Sequence, residues 1–150
     1  MGILTNGFKL SKDIVDKLLD LRLDALGISL NAASGETYEK LHLNQTAGTF
    51  NKIKNNLLYL NEEKKKRRIK YPTLSISFVI TTINYRDIED MAALTREVGG
   101  KKINFENVRI YSPVKEYLKL NKSQLEEVAI KFDKIKNDDS FEFSSRNFPR

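Results

Sequence analysis

Residues 25–35 read Ala-Leu-Gly-Ile-Ser-Leu-Asn-Ala-Ala-Ser-Gly, and this stretch decides the fold class. Its first six residues are mostly apolar and predict a strand, whereas the residues from Asn31 onward are too small and polar to continue one. Residues 36–41, Glu-Thr-Tyr-Glu-Lys-Leu, then predict a short helix. Parallel α/β folds repeat this order of strand, polar turn and helix, and their ligand sites lie at the carboxyl ends of the strands.

The same order recurs on both sides of this stretch. Upstream, Ile3-Leu4 leads into Thr5-Asn6-Gly7, where Asn-Gly favours a tight turn. A helix is predicted over 12–22, and Ser11 is its expected N-cap. Downstream, a long helix opening at Gly48-Thr49 is expected to end before Tyr71-Pro72, because proline restricts the residue ahead of it.

The second half of the chain continues the alternation. Residues 73–81 are rich in β-branched and apolar side chains and predict a strand covered on both faces. Asn84-Tyr85-Arg86 predicts a loop, and Asp87 is expected to cap a helix that closes at Gly99-Gly100. The remaining predicted elements are a strand over 103–110, an irregular link after Ser112-Pro113, a helix over 122–136 and a short strand over 141–143.

Together these elements predict an α/β fold with a parallel sheet and about four βα units. The expected architecture is an incomplete (β/α), TIM-like barrel, in which residues 1–150 form a single partial domain truncated at both ends. Such a barrel would expose strand edges and an apolar interior, so self-association through those edges is expected.

Composition excludes several classes of chemistry. The chain contains no cysteine, which excludes disulfides, thiolate nucleophiles and iron–sulfur clusters held by its own thiolates. Phosphate-loop, dinucleotide-binding and nucleophile-elbow motifs are missing, and the single His42 is expected to be a surface residue, so no catalytic residue and no metal site is assigned. The sequence has neither a long apolar run nor a secretory signal, which predicts a cytoplasmic protein without a membrane partner.

The net charge of +6 is concentrated in residues 64–70, Lys-Lys-Lys-Arg-Arg-Ile-Lys, at the end of the long predicted helix. Cations there oppose the negative end of the helix dipole, which favours a solvated helix end. Nucleic-acid binding is not favoured, because only Tyr71 lies near these cations to stack on a base.

The motifs in their order resemble the radical S-adenosylmethionine (radical SAM) enzymes. The resemblance covers roughly Ile3 to Ser112. It is carried by the following stretches: TNG after the first strand, ISLNAASGETYEKLH, GTFNKIKNNL, and LSISFVIT followed by NYRDIED. The family's reaction is reductive cleavage of S-adenosylmethionine to a 5′-deoxyadenosyl radical, which abstracts hydrogen from a substrate.

The resemblance implies S-adenosylmethionine as cofactor and a 4Fe–4S cluster in the parent family. The family holds that cluster with three cysteines upstream of the matched part, so this chain is not expected to ligate it. The family's Gly-Gly-Glu turn is also missing. Six residues map onto the cofactor cradle and are the predicted binding residues: Thr5, Ser29, Asn31, Ser77, Asn104 and Glu106.

The sequence therefore predicts a fragment of a radical SAM enzyme, inactive by itself, that binds a small-molecule cofactor and an unknown substrate. Asn31 stands where the family commonly has an aspartate, so it keeps hydrogen bonding but carries no charge. The alternative is a non-catalytic α/β binding or scaffold module that meets an acidic partner through its basic residues.

Overall fold

The computed structural model describes residues 1–111 and 113–148, and it arranges them in an α/β fold with one parallel sheet. Ser112 lies outside the described residues. It is the last residue of the stretch that carries the resemblance, and the predicted irregular link follows Ser112-Pro113. The strands are β1 Gly2–Thr5, β2 Ala25–Ser29, β3 Thr73–Ile80, β4 Lys102–Asn107 and β5 Glu142–Arg146. The α-helices are α1 Lys12–Asp20, α2 Gly35–Leu41, α3 Ala47–Lys66, α4 Ile88–Glu97 and α5 Lys122–Ile135, with short 3-10 helices at Tyr85–Asp87 and Pro113–Leu118.

The sheet order follows the chain, β1-β2-β3-β4-β5, and every neighbouring pair is parallel. Each strand therefore returns to the sheet through a helical crossover, which is the topology of a partial (β/α) barrel. The predicted fold class is confirmed, including four βα units, and a fifth strand follows them.

One face of the sheet carries the hydrophobic core, and we call it the helix face. The apolar residues that β2, β3 and β4 contribute to it are fully or almost fully buried, as Ile28, Ile76, Phe78 and Phe105 show. They pack against the apolar sides of the helices in one continuous cluster. Burial of this kind supplies most of the free energy that opposes chain entropy.

We call the opposite face the polar face. It differs from two expectations, that β3 is covered on both faces and that the interior of the partial barrel is apolar. Strand β3 alternates half-buried and buried residues along its whole length, so it is not covered on both faces. Thr73, Ser75 and Ser77 occupy its half-buried positions, because hydroxyl groups tolerate contact with water. The inner side of this partial barrel is thus lined largely by polar groups, although Leu4 is exposed beside Gly27.

Local signals set most helix starts. Ser11 accepts a hydrogen bond from the Ile14 amide at 3.3 Å, as predicted for an N-cap. Gly7 has a φ of +75°, the left-handed conformation expected at the Asn-Gly turn. Asp87 differs from its prediction: it precedes α4, but its carboxylate makes no cap bond and instead accepts from the Ala33 amide at 3.3 Å. The reason is that a 3-10 turn runs directly into α4 and turns Asp87 toward the β2–α2 connection.

None of the helices in the described ranges is both long enough and apolar enough to cross a membrane.

Candidate functional site

Four polar side chains form one row across the polar face, each from a different strand. Ser29 pairs with Ser77, Ser77 with Asn104, and Asn104 with Ser144 in the strand register. Register partners in a parallel sheet point to the same side, and neighbouring strands lie about 4.8 Å apart, so the row spans roughly 14 Å. All four residues are half-buried, and we call them the polar row. The row brings together three of the six predicted residues.

Asn104 is the member of the polar row with the clearest directional preference. Its Oδ1 accepts a hydrogen bond from Ser144 Oγ at 2.6 Å. The amide Nδ2 has no partner among the residues that the structure describes, so it remains a donor for a bound molecule.

A second row lies one step closer to the carboxyl ends of the strands. It contains Val79, Glu106 and Arg146, which are register partners on the same polar face. Glu106 Oε1 accepts from Asn147 Nδ2 at 2.7 Å and lies 3.5 Å from Arg109 Nε, so its charge is partly compensated.

Arg146 is exposed and makes no ion pair within the described ranges. With Ser77, Asn104 and Glu106 it lines a cavity of about 150 Å³. Pockets that enclose a whole small ligand are about 300–1,000 Å³, so this cavity can hold only a part of one. The cavity combines the Ser77 hydroxyl, the Asn104 amide, the Glu106 carboxylate and the Arg146 guanidinium, a set that suits a sugar or a group carrying both a carboxylate and a cation.

Thr5 lies at the same edge of the sheet but does not join the polar row. It pairs with Ile28, whose side chain is in the core, so Thr5 projects to the helix face. Its hydroxyl accepts from the Gly7 amide at 3.2 Å and thereby holds the turn after β1.

Asn31 is committed to the backbone of the neighbouring strand. Its Oδ1 accepts from the Val79 amide at 2.8 Å, continuing the β2–β3 hydrogen bonding past the end of β2. The backbone carbonyl of Asn31 accepts from Asn84 Nδ2, also at 2.8 Å. The Asn31 side chain therefore holds the carboxyl end of β2, which carries Ser29 of the polar row, against β3.

Sequence reasoning missed Asn84, which it treated as part of a loop. Asn84 is fully buried and uses both ends of its amide. Its Oδ1 accepts from the Thr81 amide at 2.7 Å, and its Nδ2 donates to the carbonyls of Asn31 and Val79 at 2.8 Å each. One side chain thus ties the carboxyl ends of β2 and β3 together.

Ser144 and Arg146 were also missed, because only residues 141–143 were predicted to form the last strand. The alternation of Phe141, Phe143 and Ser145 with Glu142, Ser144 and Arg146 was the available signal. Extending that alternation would have placed Ser144 and Arg146 on the face of Asn104 and Glu106.

Comparison with known proteins gives a consistent match. The family model described as the Radical SAM superfamily matches residues 1–95. A solved structure of TYW1 with a lysine–pyruvate adduct bound is similar with a TM-score of 0.59 and 18% identity, covering 89% of this chain. Streptococcus suis SuiB bound to its precursor peptide SuiA is similar with a TM-score of 0.62 and 18% identity, covering 97% of this chain. No curated protein matches.

The chain spans 40% of the TYW1 chain and 31% of the SuiB chain. At this level of identity the two structures show a shared fold.

Proposed function

This chain belongs to the radical SAM superfamily, and from that premise we propose that its polar face is the S-adenosylmethionine-binding part of a partial barrel. The polar row carries this proposal, because it aligns Ser29, Ser77 and Asn104 on one face near the carboxyl ends of the strands. Ligands of parallel α/β folds bind at that edge.

The donor set fits the chemical groups of S-adenosylmethionine, which offers ribose hydroxyls, a carboxylate and an ammonium group. The sugar or the carboxylate forms hydrogen bonds with the hydroxyls of Ser29 and Ser77 and with the free amide Nδ2 of Asn104. Arg146 supplies the positive charge that a carboxylate requires, and Glu106 supplies a carboxylate for a cation. Thr5 and Asn31 act by holding the sheet edge in shape, since both already bind backbone amides.

The cluster, by contrast, does not fit this chain. The sequence contains no cysteine, and the described residues hold no group of three or more metal-ligating side chains. The bound cofactor and a cluster supply the radical chemistry of the superfamily, and the protein supplies orientation and exclusion of water. We therefore infer that the isolated chain positions the cofactor without starting the reaction.

Calorimetric titration with S-adenosylmethionine tests the binding site. We expect weak binding to the unmodified chain and an affinity about 3- to 10-fold lower in Ser77→Ala, the loss of one hydrogen bond. Ser29→Ala is expected to behave in the same way. Ser75→Ala is the matched control, since Ser75 lies on the same strand and face but one step further from the carboxyl end. Absence of heat with the unmodified chain, or an equal loss in Ser75→Ala, contradicts the proposed site.

Anaerobic reconstitution with iron and sulfide tests the inference about the cluster. The isolated chain is expected to show no 4Fe–4S absorbance after desalting, because it has no thiolate to hold the iron. A cysteine-bearing radical SAM enzyme treated in parallel serves as the positive control. A stoichiometric cluster on this chain would overturn the inference that it lacks the means to begin catalysis.

The alternative function, a non-catalytic binding or scaffold module, is favoured by one observation. Six cationic side chains gather at the edge of the sheet opposite the polar row. This alternative predicts no heat with S-adenosylmethionine for any variant, so the same titration separates the two functions.

A further inference from the structure

A cleft of about 820 Å³ opens at the edge of the sheet where β3 and β4 begin. Its walls are the carboxyl-terminal turn of α3, the connection from α3 to β3, the end of α4 and the residue before β4. Six cations line it, and we call it the basic cleft: Lys64, Lys65, Arg68, Lys70, Arg96 and Lys101. The other lining residues include no acidic and no aromatic side chain.

The cations at the end of α3 divide into two sets. Arg67 binds Asp16 at 2.7 Å and Asp20 at 2.8 Å, and Lys66 binds Glu63 at 3.1 Å, so these charges are neutralised outside the cleft. Within the described part of the chain, Lys65 and Arg68 have no ion pair. The helix dipole alone would not separate the two sets, because it acts on every cation of the last turn.

The other cations of the basic cleft also include residues with and without a partner. Lys70 follows α3 and Lys101 precedes β4, and neither pairs with a carboxylate in the ranges described. Arg96 pairs with Asp138, and the buried Lys64 donates to the Pro72 carbonyl at 2.6 Å. Burial, and to a smaller extent the charge of Lys101, lower the pKa of Lys64.

A close approach of two elements forms one wall of the basic cleft. Gly99 has a φ of +72°, and a Cβ at this position would lie 2.2 Å from Asn61 Oδ1. The left-handed backbone favours glycine here, and a larger residue would also displace the Asn61 side chain from this wall. The cleft is a feature of the packed fold, and its concave shape brings the cations to face one volume.

We propose that the basic cleft binds a small ligand carrying a chain of two or more phosphate groups. Four of the six cations, Lys65, Arg68, Lys70 and Lys101, have no carboxylate partner in the described ranges, and a single phosphate would leave some of them unpaired. A short polyphosphate instead places several negative charges within one cleft. The cleft volume falls in the range of small-molecule sites. RNA is less suitable, because the lining has no aromatic side chain on which bases could stack and the cations gather in a cleft instead of a stripe.

Calorimetry with inorganic tripolyphosphate tests the proposal. The double variant Lys65→Gln/Lys70→Gln is expected to bind tripolyphosphate at least about 10-fold more weakly than the unmodified chain, with affinity that falls as salt rises. The matched control is Lys17→Gln/Lys52→Gln, which removes two exposed lysine charges elsewhere and is expected to change the affinity less than about 2-fold. Orthophosphate is expected to bind more weakly than tripolyphosphate. Thermal unfolding of both variants checks that the fold is retained.

Three results would overturn the proposal: no heat with tripolyphosphate, an equal loss in both double variants, or tight binding of single-stranded RNA that tripolyphosphate does not displace. The basic cleft lies at the amino ends of the strands and the polar row lies near their carboxyl ends. The Lys65→Gln/Lys70→Gln variant is therefore expected to leave the titration with S-adenosylmethionine unchanged. Failure of one site is therefore distinguishable from failure of the other.

Discussion

Replacing Asn84 with alanine is expected to lower the free energy of unfolding by about 3–4 kcal/mol. The change leaves the Thr81 amide and the carbonyls of Asn31 and Val79 without their partner inside a fully buried site. Each buried backbone group that loses its hydrogen bond costs about 1–3 kcal/mol, and relaxation or an entering water recovers part of the sum. Urea-induced unfolding followed by circular dichroism measures the difference.

Asn55→Ala is the control for this prediction. Asn55 lies exposed on α3, so the same chemical change there is expected to alter the free energy of unfolding by less than about 0.5 kcal/mol. A loss of less than about 1 kcal/mol in Asn84→Ala would mean that the two strand ends are held together without this amide. The Asn84→Ala variant is also expected to weaken cofactor binding, because Asn84 holds together the carboxyl ends of β2 and β3, the strands that carry Ser29 and Ser77.

The role of Asn84 shows where sequence reasoning stops. The elements could be predicted because their signals are local: apolar periodicity, the Ser11 cap, the Asn-Gly turn and the glycines after α4 each act within a few residues. Asn84 donates to a carbonyl 53 residues earlier in the chain. Nothing in the sequence around an asparagine that follows a strand indicates such a distant acceptor, so its neighbourhood predicts only a loop.

The candidate site was predictable to the extent that it follows from strand alternation. Asn104 and Glu106 lie two residues apart on one strand, a spacing that predicts a shared face, and both project from the polar face. Placing Ser29 and Ser77 beside Asn104 required the register between strands, which the sequence alone does not determine. Thr5 illustrates the same limit, because its register with Ile28 turns it to the opposite face.

The boundary of burial on β3 was misjudged for a related reason. The run Thr-Leu-Ser-Ile-Ser-Phe-Val-Ile is apolar enough overall to suggest two covered faces. Its serines and threonine fall at alternate positions, which is the pattern of a strand with one buried face. The alternation was the more reliable signal, since a hydroxyl group in a closed core needs a partner that an open face does not require.

On the helix face, five phenylalanines hold the last two strands against α5. Phe105 is fully buried, and its ring centroid lies 5.6 Å from that of Phe78, 5.2 Å from that of Phe132 and 5.9 Å from that of Phe143. Phe148 extends the group by packing edge-on against Phe132 at 5.1 Å. The rings connect β3, β4, α5 and β5, so the position of Ser144 and Arg146 on the polar face depends on this packing.

Phe105→Ala is therefore expected to lower the free energy of unfolding by about 3–5 kcal/mol, the cost of removing a buried ring and leaving a cavity. Three aromatic contacts are lost with it, each of about 0.5–1.5 kcal/mol beyond burial, so the loss should lie toward the upper end. Phe8→Ala is the control, because Phe8 is 43% exposed and its truncation should cost only about 1–2 kcal/mol. Thermal and urea unfolding measure both variants. Equal losses in the two would show that the cluster does not anchor β4 and β5, and that the site's last strand is held by its backbone ladder instead.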